Sequence, residues 1–203
     1  FEFNGQLLKD AKYDDLSNGG KNFDIYIKAN YDNSLPPVIF VNFNPSKILY
    51  GDASKTITWN DFREVLNFLE DRLFDEGIST NLDGAEVVYI ELQKTIEMNC
   101  YSTDYLNAFV KGGGKKDINN DYGTTVYFDF KNRRCNVIAY DKGCQQHNRE
   151  SKQLRIEVRL KSKKAVNNYF DTNKLTIEKL EYNWDKLNTI YEKVLLSKVF
   201  NQE

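Results

Sequence analysis

Residues 153–161 (QLRIEVRLK) alternate aliphatic and polar or charged side chains without a break. In an extended chain Leu154, Ile156, Val158 and Leu160 fall on one side, and Arg155, Glu157, Arg159 and Lys161 on the other, because successive strand side chains point to opposite faces. A helical period cannot produce that order. The run predicts a strand, and a slip of one residue would turn its whole apolar set to water. Neighbours are available in the β-rich runs 22–29 (NFDIYIKA), 36–43 (PPVIFVNF), 85–92 (AEVVYIEL), 124–130 (TTVYFDF) and 134–141 (RCNVIAYD). The turn material at 30–37 predicts a hairpin, and the glycine- and asparagine-rich stretch 111–123 predicts a loop. One helix is expected after a cap at Thr58 or Asn60, with Phe62, Val65, Leu66, Leu69 and Leu73 at helical spacing and Gly77 to end it. Beyond Lys164 the chain reads mainly as helix, with Leu180, Trp184, Leu187, Tyr191, Val194 and Leu195 as its apolar stripe. The fold class is therefore α+β, with a largely antiparallel β-sheet covered by helices on one face. Two stretches, VIFVNFNPSKIL (38–49) and RIEVRLKSKKAV (155–166), echo each other as strand, basic turn and apolar residues, and a duplicated half-domain is one reading of that echo.

A chain of 203 residues, 40% of them hydrophobic and 14% aromatic, has the apolar surface for one generous domain or two small ones sharing a sheet, and 1–203 is expected to be a single domain. Because it begins at Phe1, it is expected to be a fragment of a longer protein. No run of eighteen apolar residues exists and no signal-peptide pattern opens the chain, which argues against a membrane partner. The odd set of cysteines, Cys100, Cys135 and Cys144, fits a reducing cytoplasm. Cys144 and His147 have a metal-like spacing, but two ligands do not make a zinc site. The KGGGKK segment lacks the spacing of a phosphate-binding P-loop.

The net charge of −2 at first argues against a nucleic-acid partner, yet its distribution is uneven. Between Lys131 and Lys164 eleven Lys and Arg stand against Asp141, Glu150 and Glu157, a local balance of +8 that leaves −10 for the rest. Segregation of this kind suggests a basic working face on an acidic body.

Period two also groups chemistry. Tyr89, Glu91 and Gln93 share one face of the run 85–92 and its extension; Ile138, Tyr140 and Lys142 share a face of 134–142; Glu157 projects from the polar side of its own strand. If these strands are neighbours, two carboxylates, a tyrosine and a lysine converge on the open side of one sheet. Two carboxylates suit Mg²⁺ or Mn²⁺, which take oxygen ligands and bind phosphate. A phenol, with a pKa of about 10, is a poor nucleophile near neutral pH until a cation such as Lys142, or a metal, favours its anion.

At these residues the chain resembles the gene II replication endonucleases of filamentous phages and, more distantly, the initiators of rolling-circle plasmids. Four blocks carry the resemblance in order: VIFVNFNPSKILYG (38–51), VVYIEL (87–92), TTVYFDFKNRRCNVIAYDK (124–142) and LRIEVRLKSKKAV (154–166). The resemblance implies a bacterial-cytoplasmic enzyme that nicks and rejoins single-stranded or origin-hairpin DNA through a 5′-phosphotyrosyl intermediate, with a host helicase as a further partner. It implies Tyr140 as nucleophile, Lys142 as its cationic neighbour, Glu91 and Glu157 as ligands of Mg²⁺ or Mn²⁺, and Arg155 and Arg159 as phosphate contacts, while the charge of the basic segment adds Arg133 and Arg134 as DNA-contact candidates. Tyr89 and Tyr127 are candidates for stacking on bases. The chain departs from the family pattern at Tyr89, where the family has arginine, and at Gln145, where it has glutamate. Two other readings follow: a DNA-binding relative that no longer cuts, which the Gln145 departure favours, and an unrelated α+β interaction domain.

Overall fold

The computed structural model of the chain describes residues 2–3, 6–7, 10–13, 23–28, 38–111, 119–121, 123–129, 131–145 and 152–200. The expected hairpin turn at 30–37 thus lies outside the described residues. Contacts cluster into two compact units, Phe1–Leu82 and Asp83–Glu203, and every candidate site residue falls in the second.

In the first unit β1 (Glu2–Phe3) pairs with β2 (Gln6–Leu7), and β3 (Asp10–Tyr13), β4 (Phe23–Lys28) and β5 (Val38–Phe43) form an antiparallel meander in that order. Two helices follow. The first, α1 (Pro45–Tyr50), starts where the Asn44 side chain accepts the Lys47 N–H and Pro45 presets the first helical φ, and it stops at Gly51, whose φ of 68° favours glycine. The sequence suggested only a turn there. The second, α2 (Trp59–Asp75), has the capping box of Thr58 and Asp61, and buries Phe62, Val65, Leu66, Leu69 and Leu73 as the spacing predicts. Phe62 stacks on Phe43 with ring centroids 5.8 Å apart, and Phe68 meets Phe23 edge-on at 6.0 Å, fixing the helix to its sheet.

The second unit runs β6 (Ile90–Glu97), α3 (Ser102–Lys111), β7 (Asn119–Asp121), β8 (Thr125–Phe128), β9 (Cys135–Asp141), α4 (Lys142–Gln145), β10 (Gln153–Leu160), α5 (Lys163–Tyr169), α6 (Ile177–Glu181) and α7 (Lys186–Leu195), closing on a π-helical turn, Leu196–Phe200. Its five-stranded antiparallel sheet has the order β6-β10-β9-β8-β7, so the first strand of the unit pairs with the last. Leu154, Ile156, Val158 and Leu160 continue across Val137, Ala139, Val126 and Phe128 as one apolar face. The helices lie on that face. Phe109 of α3 meets Phe128 edge-on at 5.8 Å, and the Tyr191 hydroxyl of α7 donates to the Ile156 carbonyl at 3.4 Å. The α+β class with helices on one face of an antiparallel sheet is what the alternation required. No helix among the described residues is long and apolar enough to cross a membrane.

Three features differ from expectation. The strand expected at 85–92 begins only at Ile90 and runs on to Glu97, because 85–87 are bonded elsewhere: Val87 N–H donates to Leu175 O, and Ile177 N–H to Ala85 O. Part of the expected loop at 111–123 is strand β7. The helix α3 had no counterpart in the hydropathy reading.

Candidate active site

Register decides which polar groups meet. Across β9 and β10, Arg155 stands opposite Tyr140 and Glu157 opposite Ile138; across β10 and β6, Arg155 stands opposite Thr95, Glu157 opposite Gln93 and Arg159 opposite Glu91. Thr125 and Tyr127 of β8 pair with Tyr140 and Ile138. All share the face away from the helices, as the period-two expectation had it for Tyr140, Glu91 and Glu157. That face is not open. Tyr140 is 8% exposed, Glu157 4% and Arg155 2%, so most of its charged groups answer to one another rather than to water.

The contacts form a chain. Tyr140 Oη donates to Glu157 Oε1 at 2.7 Å. Glu157 Oε2 accepts from Arg159 Nη2 at 2.6 Å, and Arg159 Nε lies 2.8 Å from Glu91 Oε2, an ion pair rather than an aligned hydrogen bond. Glu91 Oε2 also accepts the Tyr89 hydroxyl at 2.8 Å. Two tyrosine–carboxylate pairs therefore share one guanidinium. Beside them Arg155 Nε donates to Thr95 Oγ1 at 2.9 Å, while its Nη2 and, opposite Arg159, Asn136 Oδ1, both buried, have no hydrogen-bond partner.

Electrostatics follow from burial. Burial pushes the Tyr140 phenol above its ordinary pKa, and its bond to Glu157 and that carboxylate's charge push the same way; Arg155 pulls against them. Tyr89 is raised likewise by burial and Glu91. The Glu91 carboxyl is raised by burial and by the charge of Glu157, with Arg159 opposing. Burial works against the charge of Arg159, but Glu91 and Glu157 outweigh it and hold its pKa above the ordinary value.

A cavity of about 330 Å³ opens beside Tyr140, Glu157 and Arg159, with Thr125, Tyr127 and Gln145 on its wall. Its lining mixes hydroxyls, an amide and the Arg159 guanidinium, groups that can hold a phosphate, with the carboxylates of Asp141 and Glu157, which need a cation between them and one.

The remaining candidates are placed differently. Strand β9 ends at Asp141, whose Oδ1 accepts the Cys144 N–H, so Lys142 starts α4 instead of continuing the strand face; its Nζ donates to Gln145 Oε1 at 2.8 Å. Arg155 is a buried group, not a surface contact. Arg133 and Arg134 are exposed at the start of β9, about 20 Å along the strand from Tyr140 at the usual strand rise. The basic segment is thus divided between two ends of the sheet and its interior. His147 and Glu150 lie outside the described residues. Sequence reasoning missed Thr95 as the Arg155 anchor, Tyr89 as the partner of Glu91, and Arg159 as the bridge. Its one available signal was that Arg159 lies two residues from Glu157 on the same strand face.

The expected metal pair passes a limited test of fit. Glu91 and Glu157 come from adjacent strands and reach the same cation, so their oxygens can be shared by a positive charge; the charge they hold is Arg159. Among the described residues no group of three or more His, Cys, Asp and Glu comes together as a metal shell.

No protein-family model matches the chain, and no curated protein or solved structure matches it. What the chain does must be read from its own geometry.

Proposed function

We propose that this chain nicks single-stranded DNA with Tyr140 as the nucleophile, in the manner of a rolling-circle initiator. The observation that carries the reading is the Tyr140 hydroxyl, 2.7 Å from a carboxylate oxygen and on the wall of an arginine-bearing cavity. A hydroxyl donating to a buried carboxylate is a nucleophile with its general base already aligned. In the step, the phenolic proton passes to Glu157 as Tyr140 Oη bonds to phosphorus. The bond from phosphorus to the 3′ oxygen breaks, and that oxygen takes a proton from solvent to become a free 3′ hydroxyl. The 5′ phosphate stays on the tyrosine, and the reverse attack by a 3′ hydroxyl rejoins the strand. Arg159 is the cation that would meet the phosphate oxygens, as the sequence reading expected of it. A divalent ion held by Glu91 and Glu157 would supply polarisation of a phosphate oxygen.

The test is a covalent-adduct assay on single-stranded DNA from the replicon that encodes the protein, with Mn²⁺. A protein–DNA adduct whose labelled peptide contains Tyr140 supports the reading, and its absence under conditions where DNA is bound sinks it. A second reading, a DNA-binding relative that no longer cuts, is favoured by Gln145 and by the rise in the Tyr140 pKa. It predicts binding without adduct.

A further inference from the structure

We propose that Arg159 is a latch that keeps a divalent cation off Glu91 and Glu157 until a phosphodiester in the adjoining cavity draws the guanidinium away. The inference rests on the nicking reading for its purpose, but its geometry stands independently. Arg159 Nη2 and Nε contact one oxygen each of Glu157 and Glu91, at 2.6 and 2.8 Å, so a metal ion and this arginine compete for the same atoms. The arginine is free to leave in a way its neighbours are not. Its side chain keeps 33% of its exposure and lines the cavity, whereas Glu157 is buried and tied to Tyr140. Guanidinium groups pair with phosphate through two parallel bonds, which gives an entering phosphodiester a hold on Arg159. Once it turns, two carboxylates face each other without a counter-charge in a partly buried site, and a divalent ion relieves that repulsion.

A second observation points the same way. Arg155 Nη2 and Asn136 Oδ1 are buried on the same face with no hydrogen-bond partner, Arg155 two residues along the strand from Glu157 and Asn136 directly opposite Arg159. Buried polar atoms left unsatisfied are costly, and a phosphate oxygen and a metal-bound water are the kinds of group that would satisfy them.

Metal and DNA binding are then linked, and the linkage is reciprocal. Mn²⁺ affinity is measured by the paramagnetic signal of the free ion, with Tyr140→Phe protein used wherever DNA is present so that no strand is cut. Arg159→Gln is expected to bind Mn²⁺ more tightly than the unchanged protein without DNA, by roughly tenfold or more. Oligothymidine is expected to tighten Mn²⁺ binding to Tyr140→Phe, and Mn²⁺ to tighten oligothymidine binding by the same factor. Both couplings are expected to be markedly smaller in the double variant Arg159→Gln/Tyr140→Phe, where only direct contact between the ion and phosphate is left to link them. Arg159→Lys, which keeps a charge but lacks the fork to bridge both carboxylates, should move Mn²⁺ affinity the same way by less, and serves if the glutamine variant does not fold. Mn²⁺ affinity that is unchanged or weaker in the folded Arg159 variants overturns the latch. So does a DNA–metal coupling that is undiminished in the double variant, or Mn²⁺ binding to Arg159→Gln that persists after Glu91→Gln. Failure of the adduct assay would instead remove the nicking function and leave these couplings standing.

Discussion

Stretches 38–51 and 155–170 are built alike and used differently. Each is a strand, a side-chain cap and a short helix: β5, Asn44 and α1 in one, β10, Ser162 and α5 in the other. When the echoing sequences are laid side by side, Val38, Phe40 and Asn42 stand where Arg155, Glu157 and Arg159 stand. The strand β5 is at the edge of its sheet and leaves those three exposed, Phe40 at 42%. The strand β10 has a neighbour on each side, β6 and β9, and its polar face is drawn inward. The shared supersecondary unit therefore does not itself make a site. A second neighbour does, because it supplies Glu91 and Thr95 and removes the water that would otherwise compete for the charges.

The sharpest way to break this contrast is Tyr140→Phe. It removes only a hydroxyl, so adduct formation should disappear while affinity for single-stranded DNA stays within a few-fold. An adduct that persists, identified by peptide mapping, would move the nucleophile, with Tyr127 next to be tested. Next in size is a packing comparison read by urea unfolding. Leu160→Ala, in the fully buried face of β10, should cost about 2–5 kcal/mol, whereas Phe40→Ser on exposed β5 should stay within about 0.5 kcal/mol. Equal costs would mean that the outer face of β5 is packed after all. The caps come third: Asn44→Ala and Ser162→Ala should each cost about 1 kcal/mol, and a cost confined to one of them would make the echo sequence-deep only.

The smallest effect concerns Glu91, whose folded pKa is raised. A carboxyl of that kind favours the protonated fold, so its cost is absent below the ordinary carboxylate range and present in full once pH exceeds the raised value. Glu91→Gln should then give a slight rise in the urea midpoint at neutral pH, shrinking as pH falls through that window. A gain that grew toward acid pH would reverse the assignment. No such gain is expected from Asn42→Asp on β5, where water screens the charge.

Much of the fold was legible because its signals are local. Alternation over 153–161 announced β10 and its two faces, and the spacing of Phe62 through Leu73 announced α2. The co-facial placement of Tyr140, Glu91 and Glu157 was legible for the same reason. Pairing over distance was not. The run 85–89 looked like strand because it is apolar, but its backbone bonds go to residues 175 and 177, and β6 runs on past Leu92 only because Gln93 to Glu97 pair with residues 153–157 of β10, a contact across distance. Lys142 was read along a strand that in fact stops one residue earlier, at the Asp141 cap. Arg159 as a bridge required knowing that it stands opposite Glu91, a fact of register and not of either segment.

The pairing of the unit's first strand with its last has a consequence for how the protein is made. The bond from Arg155 to Thr95 closes a separation of 60 residues, and contacts of that span form late in folding. A chain still leaving the ribosome has Tyr140 before it has Glu157, and Glu91 long before it has Arg159. Until β10 emerges there is no acceptor for the phenolic proton and no guanidinium to meet a phosphate. Translation that stops short of this strand yields a fragment without the Tyr140–Glu157–Arg159–Glu91 chain of contacts, so whatever chemistry that chain performs, nicking on the reading proposed above, arrives only with a nearly finished domain.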